Sequence, residues 1–298
     1  MKSVSVVVAT YKRENELEAA LVSLANQNYP NIEIILVDDN GDAEWNAKVS
    51  DIVNAFRTNY PNISLNHITN NPNQGSAKTR NIGIGASKGE YITFLDDDDV
   101  YLPDKVKNQV EFMEREECDY SITDLYLYNE NDKEIDRRIR SYIKDTSVES
   151  LREYHLKFHM TGTDTMMFKK EYLEKIGGFA HIDVGDEFYL MQRAIEGGGK
   201  FGYLPVCDIK AYVHTGEGGL SSGDGKIKGE NALYEYKKTF FDKLKSKDIR
   251  YIKMRHYAVI AFAYIRMNKY FRFLLLGFKS FLCSPVQCIS FVLNRNGN

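Results

Sequence analysis

The chain has 298 residues, 43% of them hydrophobic and 27% charged, with a formal net charge of −3. That is apolar material for one large domain or a domain with an appendage, and it excludes a disordered or fibrous chain. The four cysteines, Cys118, Cys207, Cys283 and Cys288, lack metal-type or redox spacing, so neither a zinc module nor a disulfide framework is expected.

Val4 to Ala9 is β-branched and apolar, as in a strand buried on both faces. Thr10 to Arg13 is its exit loop. Glu14 to Asn26 is predicted helical, with Leu17, Leu21 and Leu24 at core spacing. A second buried strand, Ile32 to Val37, ends in the turn signal Asp38-Asp39-Asn40-Gly41. A helix over 43–59, a strand over 63–68, a polar loop over 70–76 and a helix over 77–86 follow. Tyr91 to Leu95 is the next buried strand, and Pro103 opens a helix over 105–116. This alternation predicts an α/β fold with a mostly parallel, doubly wound sheet. The second half is less regular. Strands are expected over 120–128, 163–168, 201–204 and 211–214, and helices over 171–176 and 186–196. The charged stretch 129–145 reads as a loop or edge hairpin. Thr215 to Gly229, rich in Gly, Ser and Lys, reads as a mobile lid, and basic, aromatic-rich helices run from there to the end.

Four carboxylates, Asp96 to Asp99, stand where the Tyr91 strand hands over to a helix, the place where open α/β sheets bind ligands. Taken alone, the run reads equally well as a solvated acidic turn. A divalent cation would relieve the repulsion. Asp96 and Asp98 are two apart and point to one side while the chain stays extended. Oxygen ligands suit Mg²⁺ or Mn²⁺ and not zinc. Asp39 is placed to accept from a base or ribose, and Lys78 and Arg80 to face a diphosphate, with an exposed helix cation the alternative for Arg80. His214 ends a strand and is either a further metal or diphosphate ligand or a structural histidine. Gly83-x-Gly85-x-x-x-Gly89 has the wrong spacing for a dinucleotide fingerprint, and no Walker sequence is present.

Taken together, these pieces resemble family 2 glycosyltransferases with the GT-A fold. The matching segments are Val4 to Tyr11, Leu36-Val37-Asp38-Asp39, Gly75 to Gly83, Phe94 to Asp99 with Pro103, and Gly177-Gly178-Phe179 before Asp186-Glu187. They run in family order over residues 1–215. The resemblance implies an inverting, metal-dependent enzyme using Mn²⁺ or Mg²⁺. It would move a hexose or N-acetylhexosamine from a nucleotide-diphosphate sugar, with UDP the expected nucleotide. The acceptor would be a hydroxyl of a saccharide or lipid-linked substrate, as in cell-surface polysaccharide synthesis. The family's donor-binding positions fall on Thr10, Tyr11, Asp39, Arg80 and Asp96. Its metal position falls on Asp98, with Asp97 as the alternative. The family's usual acidic pair ends in Asp, whereas this chain reads Asp186-Glu187.

Two neighbours compete as catalytic base. Successive helical residues point about 100° apart. With Glu187 as zero, Leu190, Met191 and Ala194 fall on its side, so Glu187 is centred on the inward stripe. Asp186 shares the side of Arg193 and suits a cap or first-turn role. Glu187 is therefore the expected base, with Asp186 the alternative. A sugar-phosphate nucleotidyltransferase is a competing reading, but it would want a Gly-rich loop after the first strand, and Thr10 to Glu14 has no glycine. A non-catalytic nucleotide- or carbohydrate-binding module is the third, opposed by intact acids at every expected position.

Residues 1–215 are expected to form the transferase domain, with a nucleotide half over about 1–104 and an acceptor half over about 105–215; residues 216–298 form an extension. From Lys237 to Lys279 the chain carries 12 Lys or Arg and 2 Asp or Glu, a net of +10 that leaves −13 elsewhere. Ser280 to Leu293 then has no charge and is interrupted by Pro285, short of the ~20 residues a spanning helix needs. The expectation is an interfacial helix on an anionic membrane, with a helical cap on the domain as the alternative. Nucleic acid is not an expected partner. Met1 leads straight into a strand, so a cytoplasmic setting with free thiols, peripheral on the membrane's cytoplasmic face, is expected.

Overall fold

The computed structural model describes residues 1–182, 185–213 and 223–296. It divides into two compact units. One comprises Met1–Leu151 and Met160–His214, the other Arg152–His159 and Thr215–Asn298.

The first unit is built on β1 (Val4–Thr10), β2 (Ile32–Asp38), β3 (Ser64–Thr69) and β4 (Tyr91–Asp96). They lie in the order β3-β2-β1-β4 and all pair in parallel. Helices α1 (Asn15–Ala25), α2 (Ala43–Asn59) and α3 (Ser76–Ala86) make the crossovers. Val6, Val7 and Val8 are each 1% exposed or less, so both faces of β1 are covered and no alternation is needed. A Cβ on Gly83 would collide with the Val7 side chain, so only glycine lets α3 come this close to β1.

Antiparallel pairing enters further along. A two-residue β5 (Val100–Tyr101) and α4 (Lys105–Arg115) precede β6 (Tyr120–Asn129) and β7 (Glu134–Arg138), which form a hairpin over the charged stretch. After α5 (Val148–Phe158), β8 (Met166–Lys169) inserts antiparallel between β4 and β6. α6 (Lys170–Lys175) and α7 (Asp186–Glu196) follow, and β9 (Phe201–Val213) runs parallel to β6 with β5 on its far edge.

The α/β class and the parallel core follow the sequence expectation; several details differ. The two strands expected over 201–204 and 211–214 are one strand, β9. Its register to β6 shifts between Thr123 and Asp124, opposite Pro205, and a bulge is where a strand tolerates a residue without an N–H. Residues 163–165 are a 3₁₀ turn and not the start of a strand. α5 was not expected. His214 and residues 215–222 of the expected lid lie outside the described residues, while residues 223–229 belong to a helix.

The second unit contains α8 (Gly223–Lys238), α9 (Ser246–Arg266), α10 (Tyr270–Cys283) and α11 (Pro285–Asn296), with Arg152–His159, the end of α5 and the residue after it. α10 returns antiparallel along α9: Ser280 Oγ donates to the Met254 carbonyl, while the Phe273 ring meets Phe262. Lys157 Nζ donates to Asp248 at 2.8 Å, which pairs a carboxylate that is otherwise buried. Among the described residues, no helix is long and apolar enough to cross a membrane.

Replacing Gly83 by Val should force α3 off β1. Such overpacking costs about 1–3 kcal/mol, which urea unfolding would read as a lower midpoint with an unchanged slope.

Candidate active site

The parallel strands β1, β2 and β4 end at one level. Thr10 lies beside Asp38, and Ala9 beside Asp96. The residues that follow are therefore gathered in the crevice beyond the carboxyl ends of the strands. Backbone N–H groups there need acceptors, and the acids supply them.

Asp39 anchors the loop before α3. Its Oδ1 accepts from Asn70 Nδ2 and the Gln74 N–H, both at 2.8 Å, and its Oδ2 accepts from the Gly75 N–H at 2.9 Å. Gly75, the N-cap of α3, has φ of 82°, a left-handed backbone that glycine adopts without strain. Oδ2 has this one described bond, so it keeps a lone pair for a ligand. Tyr11, 50% exposed, presents its ring at the edge of the crevice, with Lys12 Nζ 5.2 Å from the ring centre. Lys78 is exposed and donates to Gln74, so the structure does not bring it together with Arg80.

Arg80 is the centre of the site. Its Nη2 donates to Asp96 at 2.6 Å and its Nη1 to Asp186 at 2.7 Å. The Phe179 ring lies 5.5 Å from the guanidinium. The next residue, Asn81, pairs with the Phe179 backbone in both directions, its amide donating to the carbonyl and its oxygen accepting from the N–H, each at 2.9 Å. α3 thereby fixes the segment leading to α7. Asp186 is buried and also accepts from Ser76 Oγ at 3.1 Å. Arg193, two turns on along the same side of α7, donates to the Gly178 carbonyl. Gly185, with φ of 76°, is the N-cap of α7. Glu187, next along, is partly buried. Burial first, and Asp186 second, push its carboxyl up to about 7.

The acid run bends. The Asp99 N–H donates to the Asp96 carbonyl, closing a turn, so strand alternation stops at Asp96. Asp96 then converges with Asp99 and with Asp164, a residue the sequence reading missed. Their oxygens lie within 4.8 Å of one another. Asp164 also accepts from the Asp96 N–H at 2.7 Å. Burial raises the Asp96 carboxyl well above its ordinary range; Asp164 adds to this and Arg80 opposes it. Asp99 is raised by burial and by Asp164, with which its carboxyl hydrogen-bonds. Asp97 accepts from the Tyr11 N–H at 3.1 Å, and burial, then Asp98, raise it to about 6. Asp98 pairs with Arg13 at 2.6 Å, another contact not foreseen. Beneath the turn, Lys105 is fully buried, donating to Thr93 Oγ1 and the Tyr101 hydroxyl at 2.7 Å each; burial lowers it to about 7. The only sequence signal for Asp164 was an acid opening a short apolar strand.

Residues 5–177 match the model of Glycosyl transferase family 2. Among similar proteins, an Escherichia coli enzyme named UDP-Glc:alpha-D-GlcNAc-diphosphoundecaprenol beta-1,3-glucosyltransferase is 36% identical over 128 residues, 43% of this chain and 47% of that one. An uncharacterised glycosyltransferase of Methanocaldococcus jannaschii is 26% identical over 90% of both chains. The match thus spans less than half of the Escherichia coli relative but most of the archaeal one. In structure, the chain is similar to S. aureus TarS in complex with UDP-GlcNAc, with a TM-score of 0.61, 16% identity, and coverage of 94% of this chain and 91% of that one. It is also similar to a Pyrobaculum calidifontis mannosyltransferase in complex with GDP-Man and Mn²⁺, with a TM-score of 0.57, 14% identity, and coverage of 99% and 80%. The GT-A-like α/β fold is shared with these glycosyltransferases.

Replacing Arg80 by Met should leave two carboxylates without their counter-charge, at a cost of about 3–5 kcal/mol. Adding Asp186→Asn to that variant should recover part of the loss, because one orphaned charge is gone. Urea unfolding of the single and double variants measures both; equal losses would mean the bridge is not coupled.

Proposed function

The chain belongs to glycosyl transferase family 2, and from that premise we propose that it transfers a hexose or N-acetylhexosamine from a UDP-sugar to a hydroxyl of a sugar on a lipid-linked acceptor, with inversion. The observation that carries the reading is the Arg80 bridge. It ties Asp96 at a strand end to Asp186 at a helix start and leaves Glu187, raised to about 7, beside them. The nucleotide follows from the UDP donors named for the E. coli and S. aureus proteins, and the acceptor class from the diphosphoundecaprenol of the former.

Tyr11 stacks on the base and Asp39 accepts from it, while Thr10 and Asp97 line the same crevice. The acid run offers the oxygen ligands that a hard divalent cation takes, and the oxygens that converge in it are those of Asp96, Asp99 and Asp164. Asp96 and Asp98 would hold it. Their side chains are 33% and 19% exposed, whereas Asp99 and Asp164 are buried and hydrogen-bonded to each other. The Arg13–Asp98 pair is partly exposed and worth on the order of 1 kcal/mol, so it exchanges readily. A bound Mn²⁺ or Mg²⁺ supplies neutralisation of charge on the departing diphosphate. Glu187 takes the proton from the acceptor hydroxyl as that oxygen attacks the anomeric carbon and the carbon–diphosphate bond breaks. Asp186, held by Arg80 and Ser76, positions the start of α7.

Residues 1–215 carry the transfer in this reading, and 216–298 hold the protein on an anionic membrane surface. On α10, Phe271, Leu274, Leu275, Phe278 and Leu282 recur at helical spacing and are exposed, Phe271 by 80%. The charged residues of α10 are Arg272 and Lys279, both cations, which suits anionic headgroups.

UDP with Mn²⁺ should raise the Tm of the chain, and Glu187→Gln should keep that shift while losing turnover. A Glu187→Gln variant that still transfers would remove Glu187 as the base. In the active chain, kcat/KM should rise with pH through about 7, because the base must be unprotonated. Asp98→Asn should abolish the Mn²⁺-dependent part of the UDP shift; an unaltered response would exclude Asp98 as a ligand. Anionic liposomes should float the chain at low salt, and Leu274→Glu with Phe278→Glu should abolish flotation.

A further inference from the structure

Lys105 opens α4 with its ammonium fully buried, and no carboxylate among the described residues bonds to it. Both circumstances are unfavourable. Burial strips the cation of water, and the first turn of a helix repels positive charge. An apolar side chain of similar volume would fill the place without either penalty.

Hydrogen bonding is one part of what the ammonium does. It gives a donor to Thr93 Oγ1 and to the Tyr101 hydroxyl and stands 4.0 Å from the Tyr101 ring centre. A hydroxyl that accepts from the ammonium is free to turn its own proton to a carbonyl. Thr93 donates to the Met166 carbonyl at 2.7 Å. The Tyr101 hydroxyl donates to the Phe94 carbonyl and lies 3.1 Å from that of Asp164. Phe94 leads along β4 to Asp96, and Asp164 sits in the 3₁₀ turn that enters β8 at Met166. One ammonium thus ties the strand end that presents Asp96 to the segment that presents Asp164.

Charge is the other part. Burial opposes the ammonium, while Asp164 and then Asp208 favour it. Asp208 is already engaged by Asn108 at 2.9 Å. Asp164 accepts from the Asp96 N–H, and its oxygens converge with those of Asp96 and Asp99. Carboxylates this close repel one another. Of these three, Arg80 bridges only Asp96. A cation beneath Asp164 offsets what Arg80 leaves.

We propose that Lys105 is the positioning residue of the acid turn, holding Asp164 against Asp96 and Asp99 by its charge as well as through Tyr101 and Thr93. The same charge repels a bare divalent ion and attracts the diphosphate that accompanies one, which biases the site towards a metal–donor complex. For the metal and donor the inference rests on the transferase reading above.

The test uses the full chain at pH 6, where Lys105, lowered by burial to about 7, carries its proton. Lys105→Gln keeps two N–H donors and removes the charge. In urea unfolding, its effect on the unfolding constant should be about ten-fold more unfavourable in the parent than in Asp164→Asn. Lys105→Met, without donors or charge, should show the same coupling and serves if Lys105→Gln does not fold. Without nucleotide, Mn²⁺ followed by electron paramagnetic resonance should bind Lys105→Gln about ten-fold more tightly than the parent, with a smaller gain when UDP is present. A structural role alone leaves that affinity equal or weaker. Equal effects in the two backgrounds, or Mn²⁺ affinity unaltered or weakened, overturn the inference. A parent chain that binds no Mn²⁺ with or without UDP defeats the metal in the transferase reading, and the unfolding cycle, which needs no metal, then decides Lys105 by itself.

Discussion

One guanidinium holds the candidate site together. Arg80 reaches Asp96 on one side and Asp186 on the other, joining groups 16 and 106 residues away in sequence. The fork geometry of arginine allows two such bonds from a rigid plane, which a lysine ammonium cannot reproduce. Asp186, with the guanidinium and the Ser76 hydroxyl, is the held member of its pair. Glu187 is left with burial and a like charge beside it, both of which raise its proton affinity. Two adjacent carboxyl groups thus stand in different surroundings.

The acid run obeys the same logic at closer quarters. Four consecutive aspartates cannot all be buried as charges. The turn sorts them. Asp97 takes the Tyr11 N–H, Asp98 takes Arg13, and Asp99 sinks against Asp164 and accepts from the Tyr212 N–H. Asp96 remains at the surface of the cluster with Arg80. Asp99 and Asp164 are the buried pair, and Asp96 and Asp98 are the more exposed one. Donor binding and metal binding are proposed for that outer pair because a ligand reaches it without dismantling the turn.

The second unit follows a different rule. α10 is apolar around most of its circumference, yet α9 and α11 cover only part of it. The rest, from Phe271 to Leu282, lies exposed. A helix of 14 residues is too short to span a bilayer and too apolar to be an ordinary surface helix. Those two constraints are the ground on which an interfacial placement is proposed for it, with the surplus of Lys and Arg as the proposed electrostatic part.

Local sequence settles much of this. Runs such as Val4 to Thr10 cannot be anything but doubly covered strands, and their alternation with helices forces a parallel core. The acids at the strand ends and the helix opening at Asp186 are local signals, and α7 begins where they indicate. Long-range contacts set the rest. Asp164 joins Asp96 across 68 residues, and Arg13 joins Asp98 across 85, through contacts that no local pattern encodes. The choice of Asp99 over Asp98 as the neighbour of Asp96 came from one backbone hydrogen bond that closes a turn. Pro205 signalled a break, but the bulge absorbs it because β6 can shift register around a residue without an N–H. Periodicity fixes which face of an element is buried; which distant charge then waits on that face is set only when the sheet brings the strand ends together.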